Sequence, residues 1–127
     1  MSKFMHSLIL CSLIICGVVT ASESSESKGT YRVLQFENDF VKVWKTVIMP
    51  HQPLKMHRHD CSRVVVGLKG GTLTKIEETG ERSPLVFETG NAYWLTEDPL
   101  GTLHADINES DDPIEVMVIE CKASAKE

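Results

Sequence analysis

The chain has 127 residues, 42% hydrophobic, 24% charged and 6% aromatic, with four Cys and a formal charge of −5. That length holds one modest domain and excludes a two-domain nucleotide enzyme or a long barrel of alternating strands and helices. The 18 acidic residues outnumber the 13 basic ones, which argues against a nucleic-acid partner, because a phosphate-binding face needs a basic surplus.

Residues 1–21 have the pattern of a signal peptide. The cation Lys3 precedes an apolar run from Leu8 to Val19, and Val19 stands two residues before the small Ala21. A run of about 12 residues is shorter than the ~20 a helix needs to cross hydrocarbon, so no stable membrane span is expected after leader cleavage. The expected compartment is a bacterial periplasm or the exterior. Removing the leader, which carries one cation and no acid, leaves 106 residues, a charge of −6 and two Cys, Cys61 and Cys121. In an oxidising compartment those two either form one disulfide or stay separate buried thiols. Residues 22–29 are small, polar and charged, a solvated linker with nothing to contribute to a core.

From residue 30 to 127 the sequence predicts one all-β domain. Tyr31–Phe36 alternates, and Glu37-Asn-Asp39 turns the chain. Phe40–Met49 is a β-branched and aromatic run stopped by Pro50 and Pro53. Arg63–Leu68 is the next strand, and Gly67-Leu-Lys-Gly-Gly71 reads as a hairpin turn leading into Thr72–Ile76. Leu85–Phe87 and Ala92–Leu95 flank Gly90. An irregular stretch with Pro99 and Gly101 follows, and Ile114–Cys121 closes the domain with apolar residues at alternate positions. Strand signals every ~8–12 residues, with no useful helical period between them, predict a sandwich or barrel.

The chemistry sits in the histidines. In an extended His57-Arg58-His59, both imidazoles project from one face. Two convergent imidazoles are half of a transition-metal site, and His104, aimed by the Pro99–Gly101 corner, is the candidate third ligand. The segment His57-x-His59, then Arg63–Leu68, then Gly70, followed by Gly90, Pro99, Gly101, His104 and Asn108, resembles the two motifs of the cupin superfamily over roughly residues 37–122. The resemblance implies a double-stranded β-helix, a jelly-roll-like barrel that commonly pairs into a homodimer. It also implies a divalent transition metal on His57, His59 and His104, with Fe, Zn, Ni, Mn and Cu not distinguished.

Where four-ligand cupins place a Glu three or four residues after the second His, this chain has Arg63 and Val64. The resemblance therefore implies three His ligands and open coordination positions, as in cupins of the thiol dioxygenase kind. That is consistent with a metal-dependent oxidase, dioxygenase or isomerase acting on a small molecule, or with a non-catalytic module that binds a small ligand or metal.

Arg63 has two readings. Either it points inward and holds a substrate carboxylate, or it snorkels at the surface or pairs with Asp60. Cys61 is read as a soft fourth ligand or as simple packing. His51 is expected in an exposed loop, and Tyr93 and Trp94 on the barrel wall or a dimer face. Asn108-Glu-Ser110 is formally a glycosylation sequon, meaningless in a bacterial source. Asp60, Ser62 and the nearby histidines make no persuasive hydrolytic triad, and Glu97, Asp98 and Asp106 are near the motifs in sequence only.

Overall fold

The computed structural model describes residues 29–123; the expected signal peptide, and the expected linker apart from Gly29, lie outside the described residues. Among the described residues, eight strands account for the regular structure: β1 Tyr31–Glu37, β2 Val41–Ile48, β3 Arg63–Lys69, β4 Gly71–Glu77, β5 Arg82–Phe87, β6 Ala92–Leu95, β7 His104–Ile107 and β8 Ile114–Cys121. They form a five-stranded sheet in the order β1-β2-β8-β3-β6 and a three-stranded sheet in the order β5-β4-β7. The pairings between these strands are all antiparallel. The fold is the expected all-β double-stranded β-helix.

Period-two alternation puts the core between the sheets. On β8, Ile114, Val116 and Val118 are buried and meet Val65 of β3, Ile48 of β2, Leu73 of β4 and Phe87 of β5. Burying a Val, Leu or Ile side chain contributes about 1.5–3 kcal/mol, so this one cluster holds the two sheets together. β1, at the sheet edge, is exposed along nearly its whole length and bulges between Leu34 and Phe36. β5 is also an edge strand. That is why it tolerates Pro84, which has no N–H to give to a second neighbour. The sequence placed its start only at Leu85.

Two sequence expectations are corrected. Gly67–Gly71 is no hairpin: β3 and β4 lie in different sheets, and the chain crosses between them there. The crossing runs tight against the turn after β5. Gly67 N–H donates to Asn91 O (3.0 Å), Gly90 N–H to Gly67 O (2.8 Å), and Gly70 N–H to Thr89 Oγ1 (2.9 Å). A Cβ on Gly67 would stand 2.3 Å from Glu88 O, and one on Gly70 2.2 Å from Phe87 O. The second correction concerns residues 99–108, which are not irregular throughout. A turn at Pro99–Thr102, with Gly101 at φ +78°, delivers the chain into strand β7.

Asn108, the last residue of the second motif, is fully buried and ties three segments together. Its Nδ2 donates to Ile48 O (3.1 Å) and Asp112 O (2.7 Å), and its Oδ1 accepts from Ser110 N–H and Oγ. Its place in the motif is architectural, and its side chain is closed to glycosylation.

Replacing Gly70 by Ala should lower stability by about 2 kcal/mol, because the new methyl meets backbone that cannot yield without moving the 87–89 segment. Urea unfolding of the variant checks this.

Candidate metal centre

The three predicted histidines meet. His57 and His104 form an isolated antiparallel bridge, each donating its N–H to the other's carbonyl at 2.9 Å. One turn of chain away, His59 N–H donates to Asp98 Oδ2 (2.7 Å) and Asp98 N–H to His59 O (2.9 Å). These contacts zip the first motif to the corner and β7 of the second. Ring centroids lie 4.5 Å apart for His57–His104, 4.8 Å for His57–His59 and 5.3 Å for His59–His104. One nitrogen from each ring falls within 4.8 Å of the others.

The hydrogen bonds fix which nitrogen is available. His57 Nδ1 lies 2.7 Å from Lys55 O, and a carbonyl only accepts, so Nδ1 carries the proton and Nε2 keeps its lone pair. That Nε2 is 3.1 Å from His59 Nε2. Two nitrogens each ~2.1 Å from one ion are separated by about 3.0–3.4 Å, so the pair has the spacing of adjacent ligands. His104 Nδ1 faces Asp98 Oδ2 at 3.4 Å, which directs its Nε2 inward.

The protonation states agree. Burial, joined by the fields of Arg63 and His57, pushes His59 down to about 3, so it is neutral at ordinary pH. Burial also lowers His104, although Asp106 and Asp98 oppose the shift. Burial raises Asp98, but the His59 N–H bond and the fields of His104, His59 and Arg63 outweigh it, and the carboxylate stays ionised. A His59 kept neutral by burial, beside imidazoles oriented by a carboxylate and a carbonyl, makes a ready ligand set. These residues fit a divalent transition metal.

Two spaces adjoin the cluster. One is an open cleft of about 470 Å³, lined by His57, His59 and Cys61 with the charged Arg32, Lys55, Arg58, Asp60 and Glu120. The other, a chamber of about 50 Å³, lies between the sheets, is lined by His57, His59, His104, Arg63, Asp106 and Thr46, and shares Arg32, Leu54, His57 and His59 with the cleft. Arg63 is only 7% exposed, and its Nη1 donates to Thr96 O (3.2 Å). The surface reading of Arg63 is therefore overturned. It sits on the inward face of β3 with Val65, and Asp60 pairs instead with Arg58.

Cys61 lines the cleft but is not among the clustered donors, and Cys61 and Cys121 are both free thiols. His51, at φ 59°, is exposed and 3.4 Å from Asp111. Tyr93 packs edge-on against Phe87 at 5.4 Å, while Trp94 is 60% exposed. Sequence reasoning set aside two residues that the fold delivers to the site, Asp98 and Asp106. Asp106 shares the inward face of β7 with His104 two residues earlier, a parity visible only once that segment is known to be a strand.

No family model matches the chain, and no curated protein sequence does. Solved structures do. A cupin domain from Bordetella pertussis Tohama I is 30% identical, with a TM-score of 0.66, covering 75% of this chain and 95% of that one. The chain belongs to the cupin superfamily. Two more distant structures share the cupin fold. One is a conserved protein with a double-stranded β-helix domain from Klebsiella pneumoniae, at 16% identity and TM-score 0.57, covering 79% of this chain and 83% of that one. The other is an RmlC-like cupin family protein from Methanocaldococcus jannaschii, at 15% and 0.57, covering 76% and 84%. At those identities they speak for the fold alone.

In this cupin, Asp98 acts on the site through His59 and His104. An Asp98→Asn variant should fold and bind Zn²⁺ roughly 10–100-fold more weakly than the parent, as measured by competition with a chromophoric chelator.

Proposed function

We propose that this chain is an exported cupin that binds one divalent transition metal through His57, His59 and His104 and presents it to a small carboxylate-bearing molecule, which it oxidises with dioxygen or isomerises. The observation that carries this reading is the His57–His59 pair, with Nε2 atoms 3.1 Å apart, the His57 tautomer fixed by Lys55 O, and an open cleft alongside. A metal bound by three protein nitrogens keeps coordination positions for a substrate. When bound, the ion supplies Lewis acidity and, if it is iron or copper, redox chemistry.

The chain's own residues provide recognition. Arg32, Lys55 and Arg58 line the cleft together with Asp60, which pairs with Arg58, and Glu120, a surplus of one cation in a molecule whose net charge is −5, which tilts the cleft toward anions. Arg63 presents a guanidinium to the chamber behind the histidines, where it suits a carboxylate taken through two parallel hydrogen bonds. The leader pattern at residues 1–21 supports a periplasmic or secreted location, and the exposed edge strand β1 supports pairing into a homodimer.

Elemental analysis of protein grown in metal-replete medium tests the centre. One metal per chain is expected in the parent and none in His57→Ala or His104→Ala; full retention in either variant overturns the site. Oxygen uptake by the loaded protein with thiols, diketones or phenols then separates the oxidative reading from a binding module, which holds metal and consumes no oxygen. Arg63→Ala should keep its metal and lose at least about tenfold in affinity for small carboxylates, measured by calorimetry, in keeping with the ~1.5–3 kcal/mol of a charged hydrogen bond. Unchanged carboxylate affinity overturns the role given to Arg63.

A further inference from the structure

We propose that Asp106 is a fourth, anionic ligand of the metal centre, supplied by β7 in place of the carboxylate that the first motif lacks at Arg63 and Val64. This rests on the metal reading above and goes beyond it in changing both the donor set and the charge of the site.

Geometry and burial carry the assignment. Asp106 Oδ2 lies 3.5 Å from His104 Nε2 and 3.7 Å from His57 Nε2. His57 Nε2 keeps its lone pair because Nδ1 donates to Lys55 O, and His104 stands between two carboxylates, with Asp98 Oδ2 3.4 Å from its Nδ1. His57 Nε2, His104 Nε2 and Asp106 Oδ2 therefore face one another across 3.5–3.7 Å from the carboxylate oxygen, where a cation set among them would meet all three. Their spacings are close to the roughly 3.4 Å between neighbouring ligands of a tetrahedral ion with ~2.1 Å bonds.

Asp106 is only 6% exposed, and its Oδ1 is one of two buried side-chain polar atoms without a hydrogen-bond partner among the described residues. A buried carboxylate oxygen with no donor is costly in a folded protein and is normally retained where it meets a cation. Arg63 lines the same chamber but spends an N–H on Thr96 O, and no hydrogen bond joins it to Asp106. Three imidazoles leave the full double charge of a divalent ion in place, whereas one carboxylate halves it. A softened charge weakens the hold on anionic substrates and eases their release.

The test uses Co²⁺ as a probe on the parent, Asp106→Asn and Asp106→Ala, reading affinity by chelator competition and coordination by the visible absorption bands. Thermal melts of the metal-free proteins are run beside them. Both variants should lose more than about 100-fold in affinity, beyond the roughly 10–100-fold cost of a residue acting through a ligand. Their Co²⁺ bands should shift, and their metal-free melting temperatures should equal or exceed the parent's, since an unpartnered buried charge has been removed. Unchanged affinity and bands overturn the assignment. So does a loss of affinity matched by a fall in metal-free stability, which marks a structural role. A parent that takes up no Co²⁺ overturns the metal reading itself, and this one with it.

Discussion

The structure depends on one exchange of backbone hydrogen bonds, His57 N–H to His104 O and His104 N–H to His57 O, both 2.9 Å. It joins residues 47 positions apart and closes the end of the barrel where the sheets would otherwise splay. The same rung sets the two imidazoles side by side, because residues opposite each other in an antiparallel pair direct their side chains to one face. Closure of the fold and assembly of the site are therefore one event. The second rung, between His59 and Asp98, extends the clip and brings in the third ring. A ligand cluster held by main chain on both sides pays little ordering entropy when an ion arrives.

Much of the fold was legible in the sequence. β8 shows why: Ile114, Val116 and Val118 alternate with outward residues, and a strand buried on one face announces itself by that period. β7 was hidden for the opposite reason. Its inward positions carry His104 and Asp106, so the functional residues erased the apolar alternation that marks a strand. The Gly67–Gly71 segment misled in another way. Glycines signal that the chain bends or that backbones approach closely, and the close approach, to Glu88 O and Phe87 O, depends on a partner that local pattern does not name.

The site divides along the same line. The histidines were legible because their spacing is itself a signature, two on one face and one after a Pro-Gly corner. Asp98 and Asp106 were not, because an acid next to a proline looks like an ordinary turn residue, and a lone acid on an undetected strand has no visible parity. Arg63 was ambiguous because arginine is normally solvated, and only the placement of β3 between β8 and β6 shows that this one faces the interior. In each case the missing information was tertiary: which backbone lies opposite which.

The chamber behind the histidines limits what the cleft can deliver. At about 50 Å³ it matches the share of liquid volume taken by one or two waters, ~30 Å³ each. The outer cleft is some nine times larger, at about 470 Å³. The smaller space is therefore too small for the body of a molecule that fills the cleft. The room beside the three rings thus divides into one part of water size and one of small-molecule size.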